Sequence, residues 1–163
     1  MSLATRPPAQ IAWVTPDLDA TETALTALLG ARKWIRLPGV HFGPDSCTYR
    51  GRPADFVADI SLSYAGDMQL ELIAPVRGDS IYGEFLRKAG AGLHHVCIET
   101  DDVEKAVTAA ADSGAEVVQR GVMPAGMEFA YVSAAHAGVP YLEIAHISPE
   151  IRDFFDYIKQ EQR

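Results

Sequence analysis

Four side chains in this chain of 163 residues are of the right types to do chemistry together: Gln10, Glu71, His95 and Glu143. An amide oxygen, an imidazole and two carboxylates can complete most of a six-coordinate shell around a divalent cation, leaving two positions for water or substrate. No thiolate belongs to the set, which argues against a structural zinc site. It suits Zn²⁺, Ni²⁺, Co²⁺, Mn²⁺ or Mg²⁺ rather than a soft metal. His95 lies in Gly92-Leu93-His94-His95-Val96-Cys97-Ile98-Glu99-Thr100-Asp101-Asp102, an apolar run that opens on imidazole and closes on two carboxylates. Gln10 opens a stretch of the same shape, Gln10-Ile11-Ala12-Trp13-Val14-Thr15-Pro16-Asp17-Leu18-Asp19. His95 precedes Asp102 by seven residues, and Gln10 precedes Asp17 by seven. Glu71 and Glu143 share an apolar context as well, in Leu70-Glu71-Leu72-Ile73 and Tyr141-Leu142-Glu143-Ile144.

Taken singly, each residue has an ordinary reading. A strand glutamate most often faces solvent, a glutamine at a strand start has no special meaning, and a His-His pair after glycine can be a satisfied loop. The pairing of all four across an internal repeat makes the stronger case. Alternation puts Gln69, Glu71 and Ile73 on one strand face and Tyr141, Glu143 and Ala145 on another. The same alternation predicts that His94 points away from His95, in a structural role.

The repeat also organises the fold. Strand material over Gln10–Thr15 leads into a helix capped by Asp17 or Asp19 and running to about Leu29, with Leu18, Thr21, Leu25 and Leu28 at helical spacing and Gly30 as its stop. Further strands are expected over Ala31–Leu37, Cys47–Tyr49, Phe56–Tyr64 and Met68–Ile73, with Pro38–Asp45 as a loop and Gly66-Asp67 as a hairpin signal. A linker over about 76–92 holds a short helix capped by Asp79 or Ser80. The order then recurs: a strand from His94, a helix over Val103–Ser113 capped by Asp101 or Asp102, and strands over Glu116–Gln119, Phe129–Ser133 and Tyr141–Ala145. Ser148-Pro149-Glu150 starts a terminal amphipathic helix over about 149–160, carrying Ile151, Phe154, Phe155 and Ile158. These apolar residues suit either a subunit contact or packing on the chain's own sheet. The expected class is α+β: two tandem βαβββ modules, about 8–75 and 93–147, form a cupped mixed β-sheet with helices on the outer side. A C-terminal helix completes a single domain.

Composition narrows the function. An apolar fraction of 48% and a charged fraction of 22% are globular values. A net charge of −8 with no Lys/Arg cluster speaks against nucleic acid as a partner. Cys47 and Cys97 lie far apart with no Cys-x-x-Cys pair, so neither a disulfide framework nor a zinc ribbon is indicated. No apolar run reaches membrane-spanning length and the opening Met-Ser-Leu-Ala-Thr-Arg lacks a signal-peptide core, so a cytoplasmic location is expected.

The chain resembles the vicinal oxygen chelate superfamily of glyoxalases, bleomycin-resistance proteins and extradiol dioxygenases. The resemblance runs from about Gln10 to His146 and rests on Val14-Thr15-Pro16-Asp17-Leu18-Asp19, Leu70-Glu71-Leu72-Ile73-Ala74-Pro75, Gly92-Leu93-His94-His95-Val96 and Gly138-Val139-Pro140-Tyr141-Leu142-Glu143. The linker Asp79-Ser80-Ile81-Tyr82-Gly83-Glu84-Phe85-Leu86 is most like the methylmalonyl-CoA epimerase branch. The ligand order implied by the resemblance (Gln10, Glu71, His95, Glu143) is instead similar to glyoxalase I, lactoylglutathione lyase. A second carboxylate base found in the epimerases would fall near Pro53-Ala54-Asp55-Phe56, where no glutamate stands, and Asp55 or Asp59 could replace it only with a shift of register.

The resemblance implies a metal-dependent lyase or isomerase that moves a proton at a carbon next to a carbonyl or thioester. Glu143 is the expected general base, with Glu71 the second candidate for the opposite face. The implied substrate is a small acyl thioester or an α-hydroxy or α-keto compound, and a homodimer is a common assembly in the family. Two alternatives stand beside it: a metal-free small-molecule binding or resistance protein, and an Fe(II) extradiol dioxygenase, which Gln10 disfavours because that chemistry needs a second histidine. Phe129, Tyr131 and Tyr141 are expected to line or support the cup. Arg36, Arg50, Arg52 and Arg77 could meet a substrate's anionic tail, although each reads more simply as a solvated surface charge. His136 and His146 have no counterpart in the repeat.

Overall fold

The computed structural model describes residues 7–163; the opening residues, read above for a signal peptide, lie outside them. In chain order the elements are β1 (Gln10–Val14), α1 (Leu18–Leu29), β2 (Ile35–Phe42), β3 (Cys47–Tyr49), β4 (Arg52–Pro53), β5 (Phe56–Ala65), β6 (Met68–Arg77), α2 (Ile81–Ala89), β7 (Gly92–Glu99), α3 (Val103–Asp112), β8 (Val117–Val122), β9 (Glu128–Ser133), β10 (Tyr141–His146) and α4 (Pro149–Gln160). The ten strands make one curled mixed sheet in the order β2-β5-β6-β1-β7-β10-β9-β8-β3-β4. In each repeat the first strand pairs in parallel with the last, β1 with β6 and β7 with β10. The two first strands then pair antiparallel at the centre.

Local chemistry places the helices. The side chains of Asp17, Ser80, Asp102 and Ser148 accept hydrogen bonds from backbone N–H groups in the first turns of α1, α2, α3 and α4. Gly30 ends α1 in the left-handed region at φ 76°. Helix α3 buries Val103, Ala106, Val107 and Ala110 against Ala130, Val132 and Ile144 on one side of the sheet. The other side carries the larger core, built around Phe42, Phe56, Phe129 and Tyr131 and joined by Phe155 and Ile158 of α4. The terminal helix therefore packs on its own sheet, the second of the two roles open to it.

Four expectations need correction. Strand β2 runs later than Ala31–Leu37, through the expected loop at Pro38-Gly39. It is an edge strand, and a bulge between Leu37 and Val40 accommodates the proline without loss of a central ladder bond. Strand β6 continues past Ile73 to Arg77, beyond the end of its pairing with β1. The β3–β4 hairpin leaves the first repeat and extends the far edge of the second, pairing Cys47 with Gly121 of β8. A Cβ on Gly121 would lie 2.5 Å from Cys47 Sγ, so that crossing needs glycine there. Leu28 is 78% exposed despite its helical spacing, since α1 buries only Leu25.

Candidate metal centre

The register brings the four candidate donors onto one face of the central strands. Gln10 stands opposite Gln69 of β6, His95 opposite Ala12, and Glu143 opposite Cys97. Three oxygens converge on one nitrogen: His95 Nε2 lies 3.3 Å from Gln10 Oε1, 3.4 Å from Glu71 Oε2 and 3.1 Å from Glu143 Oε2. Among the described residues, Glu71, His95 and Glu143 form a cluster whose ligand atoms lie within 4.8 Å of one another. Neighbouring donors on a six-coordinate cation with bonds of about 2.1 Å sit about 3 Å apart, so the spacing and the hard-oxygen-plus-imidazole donor set fit a divalent ion.

Gln10 faces the centre with its oxygen for a reason that strand parity does not show. Gln10 Nε2 donates to Gln69 Oε1 at 2.7 Å, and Gln69 Nε2 donates to the Tyr64 hydroxyl at 3.2 Å. Gln10, Gln69 and Tyr64 are all buried, so this chain sets the amide orientation and leaves Gln10 Oε1 for the centre. Gln69 was visible in the sequence only as a polar residue on the Glu71 face.

The expectation for His94 is overturned. The β1–β7 register shifts so that Ala12 faces His95 while Trp13 faces Leu93, leaving His94 as the extra residue of a bulge. A bulge breaks the two-residue alternation, so neighbouring imidazoles need not point to opposite faces. His94 Nδ1 lies 2.8 Å from His95 Nδ1, and both rings are fully buried. Around His94 stand Tyr82, Phe85, Tyr131 and Tyr141, with ring centroids 4.9–6.2 Å away. Burial, and next the charge of His95, keep His94 neutral although the Ile81 backbone pulls the other way. His94 Nδ1 can then accept from His95 Nδ1–H, which leaves His95 Nε2 turned to the carboxylates.

Burial opposes a charged His95, but the hydrogen bonds it donates to Glu143 and Glu71 outweigh it and raise its pKa to about 9. Burial raises the Glu71 carboxyl, its hydrogen bond to His95 lowers it, and the charge of Glu143 pushes it up again. Without a cation, His95 thus keeps its Nε2 proton directed at the two glutamate side chains. A divalent ion can take the place of that proton.

Above the centre lies a cavity of about 260 Å³, bordered at its base by Gln10, Glu71 and Glu143. Its walls are apolar: Val40, Ile60 and Leu62 from the first repeat, Met127 and Phe129 from the second, and Ile151, Phe154 and Phe155 from α4. Phe129 and Tyr131 border it, whereas Tyr141 packs against His94 behind. Asp55 is exposed and bonded to His41 and Arg77, and Asp59 accepts from the Gly39 N–H. Neither borders the cavity, and Ile60 and Leu62 hold that wall. Arg36 pairs with Asp19 and Glu22, Arg50 with Glu84 and Arg77 with Asp55, while Arg52 lies on the β4 edge. His146 Nδ1 contacts the Thr100 carbonyl, and His136 sits in a short 3₁₀ turn, both away from the centre. No helix among the described residues is long and apolar enough to cross a membrane.

The family described as Glyoxalase/Bleomycin resistance protein/Dioxygenase superfamily matches residues 9–131, and the chain belongs to it. Among curated relatives, mitochondrial methylmalonyl-CoA epimerase of Bos taurus is 33% identical over 98 residues, 60% of this chain and 48% of that protein. The Homo sapiens enzyme of the same name is 31% identical over 98 residues, with the same coverage of 60% and 48%. The chain therefore spans about half the length of the curated relatives it matches. Methylmalonyl-CoA epimerase from Mycobacterium tuberculosis shares the fold at a TM-score of 0.62 and 19% identity, over 93% of this chain and 97% of that one. A Streptomyces coelicolor methylmalonyl-CoA epimerase in complex with 2-nitronate-propionyl-CoA aligns at a TM-score of 0.56 and 21% identity, over 88% and 98%.

Proposed function

We propose that the chain is a divalent-metal-dependent isomerase or lyase that moves a proton at a carbon next to a carbonyl or thioester. Gln10, Glu71, His95 and Glu143 would hold the metal. The observation that carries this reading is the convergence of three side-chain oxygens on His95 Nε2 at the base of an apolar cavity. The epimerase relatives support the reaction class, and a small acyl thioester or an α-hydroxy or α-keto compound is the corresponding substrate.

A bound divalent cation supplies Lewis-acid polarisation of the substrate oxygens. The residues do the rest. His95 would hold the ion through Nε2 once that nitrogen has released its proton to solvent, while its Nδ1–H donates to His94 Nδ1. Gln69 keeps the Gln10 oxygen facing inward. Glu143 on β10 and Glu71 on β6 flank the two central strands, so they reach a substrate carbon from two sides. Glu143, freed from the ion when substrate binds, would accept the proton from carbon and return it, and Glu71 is the second candidate base, on the opposite face. The apolar walls exclude water, which strengthens both carboxylates as bases.

The test is Glu143→Gln, read by metal content after chelator-free purification and by solvent deuterium exchange at the α-carbon of an acyl-CoA. Exchange should fall by about 10²–10⁴-fold, the usual contribution of a general base. A variant that keeps both metal and exchange would overturn the assignment.

A further inference from the structure

The cavity is larger and drier than a small carboxylated substituent requires. We infer that it holds a compact, uncharged apolar acyl or aryl group of about ten non-hydrogen atoms, the size limit being set by α4. The position of the reacting carbon rests on the proposed function, while size and polarity rest on the cavity alone. A cavity of roughly 150 Å³ with apolar walls holds benzene; this one measures about 260 Å³. A methyl group beside the donors would leave most of it empty.

Its charge pattern points the same way. Among the described residues, no lysine, arginine or histidine borders the cavity, and its only carboxylates are Glu71 and Glu143. The cations of α4 are turned outward: Arg152 pairs with Glu99 at 2.6 Å and Lys159 with Asp67 at 2.6 Å. An anionic substituent set among these walls, beyond reach of the centre, would lose its hydration with no cationic side chain to meet it. An apolar one meets Ile151, Phe154 and Phe155. That wall is held in place at the end of the chain, where Gln162 Oε1 accepts from the Arg32 and Lys33 N–H groups at 2.9 and 3.0 Å, and Gln162 Nε2 donates to the Lys33 carbonyl at 2.8 Å.

The test is isothermal titration of zinc-loaded and metal-free full-length protein with n-alkyl hydroxamates from acetohydroxamate to dodecanohydroxamate, and with the monohydroxamate of suberic acid. Affinity should rise about fourfold per methylene until the cavity fills near eight carbons, then level off or fall. The suberic compound should bind at least about tenfold more weakly than octanohydroxamate. Ile151→Trp should move the optimum to shorter chains and Phe154→Ala to longer ones; the wild-type series decides the matter if either variant misfolds. A flat length profile, or preference for the anionic probe, overturns the inference even if zinc strengthens acetohydroxamate binding. If zinc adds nothing while the length profile holds, the metal reading fails and the inference stands.

Discussion

Replacing Gln69 by leucine should weaken metal binding without removing any proposed ligand. Gln69 is 3% exposed and Gln10 5%, so water cannot readily replace the lost partner. The variant strands the Gln10 amide N–H₂, which now donates to Gln69 Oε1 at 2.7 Å, and removes the bond to the Tyr64 hydroxyl. One buried donor left unpaired costs about 1–3 kcal/mol, so stability should fall by that amount in urea unfolding. The freed amide can turn its nitrogen toward the centre, and loss of such an outer partner typically costs about 10–100-fold in metal affinity. Competition of the protein against a chromogenic chelator for Zn²⁺ measures this directly. Gln69→Glu keeps an acceptor for Gln10 Nε2 and should recover most of the affinity. If Gln69→Leu binds Zn²⁺ as tightly as the parent while Gln10→Ala does not, the orientation argument is wrong.

Four further outcomes are expected. The pKa of His95 in the folded metal-free protein, about 9, lies above its ordinary value of about 6.5. Its contribution to stability is therefore fully present below pH 6.5 and is lost as pH rises through 9; chelator-treated protein should lose up to about 3 kcal/mol across that window, read as a drop in Tm. Metal binding at neutral pH should release close to one proton, which titration in buffers of different ionisation enthalpy will show. His94→Phe keeps a buried ring but removes the acceptor 2.8 Å from His95 Nδ1, so Zn²⁺ affinity should drop about 10–100-fold with the fold retained by circular dichroism; unchanged affinity would assign His94 to packing alone. Gly121→Ala sets a methyl against Cys47 and should destabilise the protein by about 1–3 kcal/mol in chemical denaturation, with Cys47→Ala in the same chain recovering part of the loss.

What the amino-acid sequence determined by itself was whatever depends on near neighbours. A short polar side chain set before an amphipathic run narrowed the caps of α1, α2 and α3 to two candidates each and marked Ser148 for α4, and Asp17, Ser80, Asp102 and Ser148 are the residues that cap. Two-residue alternation set Glu71 and Glu143 each on one face of its strand, and in the structure both border the cavity. Alternation failed at His94 because a bulge adds a residue on β7 with no marker in local composition. Strand β2 ran on through Pro38-Gly39 because an edge strand can spare a ladder bond. The destination of the β3–β4 hairpin depended on a glycine more than seventy residues away, at Gly121. The pairing of Gln69 with Gln10, across 59 residues, needed the β1–β6 register before either amide had a defined orientation. The terminal helix was legible as amphipathic, but only the curvature of the sheet decided that its apolar face closes a cavity. Local sequence sets caps and parity; register, bulges and closure are set by contacts between distant segments, and the orientation of the centre and the size of its cavity depend on those.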